Sequence, residues 1–276
     1  MFRSLRRARR GFSLVELLIT LILVSIIGAA AGRLLMSQTR FYSRLAGQKD
    51  ARSVSRNARN IMQTELSMVE AGGGVVAASN DSIRVRLPYI WGVYCSASTM
   101  MYLPYDSAMV AMATYAGYAI KDTSTTGTYT YTSGGTAPSA GTATNCTSSP
   151  TSITAPANGG YLSVSGSAGT AASPMFLYQT VTYLFGSSAL VSGKRGLYRR
   201  VGNGTAEEIL APFDTSAKFR FYNLYADTAQ TTVPTLANIR GIELKLDAQS
   251  ASRTSGQTQP ESVSIKTAIF LRNRVN

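Results

Sequence analysis

Apolar residues run almost unbroken from Phe12 to Gly32, and Glu16 is the single charged position among them. At 1.5 Å per residue this stretch makes a helix of about 30 Å, the thickness of a bilayer's hydrocarbon layer. Beyond Gly32 the pattern changes. Leu34, Phe41, Leu45, Val54, Ala58, Ile61, Met62, Leu66 and Val69 recur mostly three or four apart, with Arg40, Arg44, Arg52, Arg56 and Arg59 between them. That spacing predicts an amphipathic helix that needs a partner on one side only. No proline interrupts before Pro88, so one helix is predicted from Phe12 to Val69, about 87 Å long. Gly72-Gly73-Gly74 ends it.

The remainder reads as strands. Ser82 to Leu87 alternates polar and apolar, with Pro88 closing the run. Thr/Tyr alternation at Tyr129 and Tyr131 predicts a short strand, and Gln179 to Phe185 a longer one. Further strands are expected at Leu197–Val201, Phe219–Tyr222, Ile239–Leu246 and Val263–Leu271, with Asp247 to Glu261 as a loose polar hairpin loop. An antiparallel sheet laid on the amphipathic half of the helix buries both apolar faces. The fold class is therefore α+β. It divides into a basic leader (1–11), an apolar half-helix (12–33), an amphipathic half-helix (34–71) and a β-rich head (72–276). Within the head, Thr123 to Gly193 contains no charged side chain and is crowded with Ser, Thr, Gly and Ala; most of it reads as long loops with little core to contribute.

Charge and composition narrow the chemistry. The formal charge of +13 suggests nucleic acid until the charges are placed: Arg3, Arg6, Arg7, Arg9 and Arg10 precede Gly11, and without those five the charge is +8. Arginines abutting an apolar run hold that end of a membrane helix on the cytoplasmic side. Histidine is absent, which excludes a Ser-His-Asp triad and a His-bearing zinc site. No other metal or cofactor motif is present. Cys95 and Cys146 are the two cysteines, and in a chain that leaves the cytoplasm they make one expected disulfide. Closing about fifty residues of flexible chain is worth roughly 4 kcal/mol in the chain-entropy account.

Glu16 is the anomaly. A lone carboxylate near one end of an apolar helix carries a large desolvation cost unless paired, and neither a secretory signal nor a passive anchor needs it. The segment Arg10-Gly11-Phe12-Ser13-Leu14-Val15-Glu16-Leu17-Leu18-Ile19 resembles the processing motif of type IV pilins and type II secretion pseudopilins. The order of the later segments, LYRR, FRFYNL and LANIRGIELKL, is similar to the minor group that contains the PilW-type pilins and J-type pseudopilins. The resemblance implies cleavage after Gly11 by a prepilin peptidase and N-methylation of Phe12. It implies pairing of Glu16 with the Phe12 amine of a neighbouring subunit, and a role in initiating or capping a pilus or pseudopilus. The implied setting is the bacterial inner membrane with the head in the periplasm, followed by a periplasmic pseudopilus or a surface pilus. The implied partners are other pilin-like subunits and the peptidase, with no cofactor and no small-molecule substrate.

Other functions are weaker readings of the same residues. Glu207, Glu208 and Asp247 are the candidate catalytic acids, but neighbours on a strand face opposite ways, and all three read as solvated surface groups. Gly202-Asn203-Gly204-Thr205 reads as a turn. Direct DNA binding would use Tyr198 beside Arg199-Arg200, or Phe219-Arg220-Phe221; alternation instead places Phe219 and Phe221 in the core. An adhesive role would use the uncharged Ser/Thr/Gly/Tyr region to contact a surface or sugar, through the flat faces and hydroxyls of side chains such as Tyr129 and Tyr131.

Overall fold

The computed structural model describes residues 13–103, 107–121, 127–147, 152–166 and 169–272. Gly11 and Phe12 lie outside them. Helix α1 (Leu14–Leu66) is continuous over 53 residues, about 80 Å. It passes through the 33/34 boundary without a break, and it stops three residues short of the expected Val69. Val69, Glu70 and Ala71 instead join the chain's far end: Ala71 N–H donates to Arg272 O at 2.8 Å, Arg272 N–H to Val69 O at 3.0 Å, and Glu70 bridges Arg272 in parallel. These bonds take backbone groups that another helical turn would have used.

Among the described residues thirteen strands follow in one sheet. The first seven are β1 (Val75–Ala78), β2 (Ser82–Tyr94), β3 (Thr99–Tyr102), β4 (Gly117–Lys121), β5 (Tyr129–Ser133), β6 (Ser139–Ala140) and β7 (Gly160–Ser163). Then come β8 (Pro174–Ser187), β9 (Arg195–Val201), β10 (Glu207–Phe213), β11 (Lys218–Asn223), β12 (Ile239–Gln249) and β13 (Ser262–Phe270). Two short helices, α2 (Ser107–Met112) and α3 (Thr144–Thr147), interrupt the middle. The main path runs β11-β12-β10-β9-β8-β2-β3-β7-β6, and each strand pairs antiparallel with its neighbours. At its centre, β8 pairs β2 along one edge, while its other edge is shared between β4 and β9.

Helix α1 packs on β10, β12 and β13. Its buried stripe is Ala51, Ser55, Ala58, Met62 and Leu66, spaced three or four apart. Ala51, Ser55 and Ala58 are small, which brings the helix backbone close to the sheet, and the Ser55 hydroxyl donates to Leu246 O at 3.1 Å. Phe219, Phe221, Ile242, Leu244 and Leu246 close the core from the sheet side, each fully buried. Thus the alternation read in these two segments is the observed packing.

Two expectations about strand ends fail for identifiable reasons. Pro88 does not close its strand: β2 continues to Tyr94, with an irregularity between Pro88 and Ile90. Arg86 N–H points to the β1 side, donating to Gly74 O at 2.8 Å. Two residues on, the missing N–H of Pro88 faces the same side, just beyond where β1 begins, so no ladder bond is lost. Likewise, the hairpin loop after Asp247 is shorter than expected. Pairing runs to Gln249↔Ser262, and Ser250 N–H adds a bond to Glu261 O at 2.7 Å.

The charge-free region is also more structured than its composition suggests. It supplies Tyr129, Leu162, Val164, Met175, Phe176, Leu177 and Tyr178 to the buried interior, and β8 begins five residues before the predicted strand. Cys95 and Cys146 form a disulfide, their Cα atoms 4.9 Å apart. Beside it the Ser96 hydroxyl donates to Asn145 O at 2.7 Å, and Asn145 Nδ2 to Thr99 Oγ1 at 2.8 Å.

Candidate assembly interface

The half of α1 ahead of the head is bare. Every large apolar side chain from Leu14 to Ile27 is exposed, as are Leu34, Leu35, Met36, Phe41, Tyr42 and Leu45. The amphipathic half was expected to meet the sheet from residue 34, but packing on the sheet starts at Ala51. Between them only the β12–β13 turn touches the helix: Arg44 pairs with Glu261 at 3.9 Å, and Gln48 Nε2 donates to Glu261 at 3.4 Å. The helix is thus a long apolar arm rooted in the head by its last four turns.

Between Leu14 and Gly32 the polar side chains are accounted for internally, with one exception. The hydroxyls of Thr20 and Ser25 donate to Leu17 O and Ile22 O, each at 2.8 Å. Thr39 and Ser43 do the same one turn back, at 2.9 Å. Such local bonding lets a hydroxyl enter an apolar medium without an open donor. Glu16 cannot do this. It stands exposed in the first turn of α1, where the helix dipole favours a negative charge, surrounded by Leu14, Val15, Leu17, Leu18 and Ile19. This helix is long and apolar enough to cross a membrane.

The root of the arm is held electrostatically as well as by packing. Glu65, in the last turn of α1, pairs with Arg199 of β9 at 3.1 Å and accepts a short hydrogen bond from the Tyr183 hydroxyl of β8. Burial, reinforced by the Glu65 charge, pushes the Tyr183 hydroxyl far up. Burial alone would lower the Arg199 guanidinium, but the hydrogen bond and charge of Glu65 outweigh it and hold its proton more firmly. Nothing in the sequence singled out Glu65, because its partners lie more than a hundred residues away.

The residues considered for other functions are placed as follows. Arg220 is paired with Glu243 at 2.7 Å, and Phe219 and Phe221 are buried, so this segment offers no stacking platform. Tyr129 and Tyr131 have their faces occupied: Tyr129 lies 4.8 Å from the Phe176 ring centre, Tyr131 lies 5.6 Å from that of Tyr178, and the Arg86 guanidinium covers Tyr131 at 4.7 Å. Tyr129 is thereby buried and Tyr131 half-buried. Of the three acids read as solvated, only Glu207 is exposed. Glu208 accepts from Ser188 Oγ at 2.5 Å and Ala189 N–H at 2.8 Å, and Asp247 is 9% exposed and paired with Lys245 at 3.0 Å. The partners of Glu208 lie in the β8–β9 loop, and Lys245 sits two residues before Asp247 on the same strand. Among the described residues no cluster of three or more His, Cys, Asp or Glu side chains is placed to hold a metal.

Residues 6–32 match the prokaryotic N-terminal methylation motif. No curated protein and no solved structure matches the chain. The matched segment contains Gly11, Phe12 and Glu16 and ends within the bare apolar arm. Motif and fold together define a pilin- or pseudopilin-like structural subunit, with a long N-terminal helix on an antiparallel sheet.

Proposed function

We propose that this chain is a minor pilin or pseudopilin that helps initiate or cap assembly of a type IV pilus or type II secretion pseudopilus. A prepilin peptidase cuts after Gly11, Phe12 becomes the methylated first residue, and the arm leaves the inner membrane for the filament core. The observation that carries this reading is the exposed arm itself, apolar on all sides from Leu14 to Ile27 and bearing one carboxylate, Glu16. Both lipid and a bundle of sister helices satisfy an apolar surface. Only a neighbouring chain that begins with a free amine also supplies Glu16 with a counter-charge, and breaking such a buried pair costs about 3–5 kcal/mol. The sheet head packs on the helix from Ala51 onward and meets it earlier through the β12–β13 turn at Arg44 and Gln48, which leaves the arm from Leu14 to Ile27 clear for neighbours. The head's size, crowded in a tightly packed shaft, favours a position at the start or cap of the filament.

The test is Glu16→Ala in cells that assemble the filament. Membrane insertion and cleavage are expected to be unchanged while recovery of the subunit in sheared filaments falls sharply. Wild-type recovery of the variant in that fraction would refute the pairing.

A further inference from the structure

On the sheet face turned away from α1 lies a row of three arginines, Arg84, Arg86 and Arg200. Strands β2, β8 and β9 run side by side, and Val85, Val181 and Leu197 point toward the helix, each fully buried. Their neighbours in sequence therefore point the other way. The pairings Arg84↔Thr182 and Thr182↔Arg200 set two guanidinium groups on either side of one threonine, and Arg86↔Thr180 forms the next row. Two strand spacings separate the Arg84 and Arg200 backbones by about 10 Å. None of the three arginines takes part in an ion pair among the described residues.

Part of this row is already dehydrated. The Nε of Arg84, the Nε of Arg200 and the hydroxyl of Thr182 are shut off from solvent and have no hydrogen-bond partner, and Thr182 is 6% exposed. Open donors of this kind are rare in folded proteins because each carries a desolvation cost. Beside the row opens a cleft of about 490 Å³, lined by Arg84, Arg86, Tyr115, Ser133, Thr180 and Asn203 among others. It exists because β8 changes partner there: Gly202 N–H donates to Thr180 O at 2.7 Å, and Ala116 N–H to Tyr178 O at 3.0 Å, leaving a gap between β9 and β4. The Tyr115 hydroxyl, on the cleft wall, is likewise buried without a partner. Arg86 is fixed in advance, its Nη1 donating to Gly73 O at 2.6 Å and its plane lying over Tyr131. Gly73 holds φ +105°, and a Cβ there would come within 2.8 Å of the Tyr131 ring, so the support of Arg86 depends on that glycine.

We propose that this cleft binds an acidic sugar, a hexuronate unit whose carboxylate lies against Arg84 and Arg86. A planar guanidinium suits a planar carboxylate. The hydroxyl and amide groups of Ser133, Thr180 and Asn203 suit sugar hydroxyls, and the volume accommodates one or two rings. A bare inorganic anion would satisfy the arginines but would leave the hydroxyl-bearing wall unused. The site stands on the head alone and does not depend on the filament reading.

Calorimetric titration of the full-length chain in a neutral, sugar-free detergent tests it, with glucuronate, galacturonate and their short oligomers as probes and glucose and inorganic phosphate as controls. Saturable binding of a uronate is expected, with none for glucose. Arg84→Gln, with the thermal midpoint unchanged, and separately Arg86→Gln should each weaken it about tenfold or more, while Arg253→Gln on the β12–β13 turn leaves it intact. The proposal is overturned if no uronate binds, if glucose binds equally, if phosphate alone binds, or if both Arg84→Gln and Arg86→Gln keep wild-type affinity while folded.

Discussion

Glu65 and Arg199 are 134 residues apart in the chain and meet in a two-bonded contact, Arg199 Nε donating at 3.2 Å and Nη2 lying at 3.1 Å from the carboxylate. The pair joins the last turn of the helix to the centre of the sheet, and the Tyr183 hydroxyl completes it. Replacing Glu65 with Ala leaves a half-buried guanidinium and a buried phenol without their acceptor. A loss of about 1–3 kcal/mol is expected, read as a lower unfolding midpoint of the full-length chain in detergent. An unchanged midpoint would show that packing by Met62 and Leu66 alone roots the arm.

Reduction of the disulfide should loosen the uncharged part of the head. The Cys95–Cys146 bridge spans a sequence separation of 51, and opening a loop of that length is worth roughly 4 kcal/mol in the chain-entropy account. Cys95→Ala/Cys146→Ala is therefore expected to unfold at markedly lower denaturant concentration than the oxidised wild type. Hydrogen exchange should rise first around β3 and β7, which pack beside the bridge.

Acid should destabilise the head through a particular pair. Burial pushes the Asp214 carboxyl up, but the Ser216 N–H at 2.9 Å and its hydroxyl at 2.7 Å outweigh it and hold Asp214 below its ordinary value. At Asp247 burial likewise pushes up, and the Ser216 hydroxyl, whose one proton is shared with Asp214, together with the Ser264 hydroxyl and Lys245 brings the carboxyl down. A folded-state value below the unfolded one, about 3.9 for aspartate, means that the stabilisation is present above that pH and is lost as pH falls through the folded values. The melting midpoint should thus fall steeply below about pH 4, and Asp214→Asn should flatten that decline. A slope identical to wild type would remove Asp214 from the account.

How far the chain could be read in advance depended on how local each signal was. The long helix, the alternation in Ile239–Leu246 and the burial of Phe219 and Phe221 follow from periodicity, and the structure has them. The failures involve long-range contacts. Val69 to Ala71 left the helix for Arg272, Asp247 found Ser216, and Pro88 was tolerated because its strand lacks a partner on one side there. The uncharged region hid its core because Tyr and Met are diluted among Ser, Thr and Gly, which mask the apolar period. For the arm, Glu16 was legible because a carboxylate in an apolar run is conspicuous without any knowledge of the fold. Glu65, Arg84 and Arg86 were not, since a charge on an alternating strand or helix face looks ordinary until its neighbours are known.

The central claim is that processing creates the positive partner of Glu16. Intact-mass and N-terminal fragment mass spectrometry of the subunit purified from filament-forming cells tests it directly. A chain beginning at Phe12 and carrying one added methyl group on its amine is the expected result; a mature subunit still carrying Met1, or beginning near Ala31, would contradict the claim.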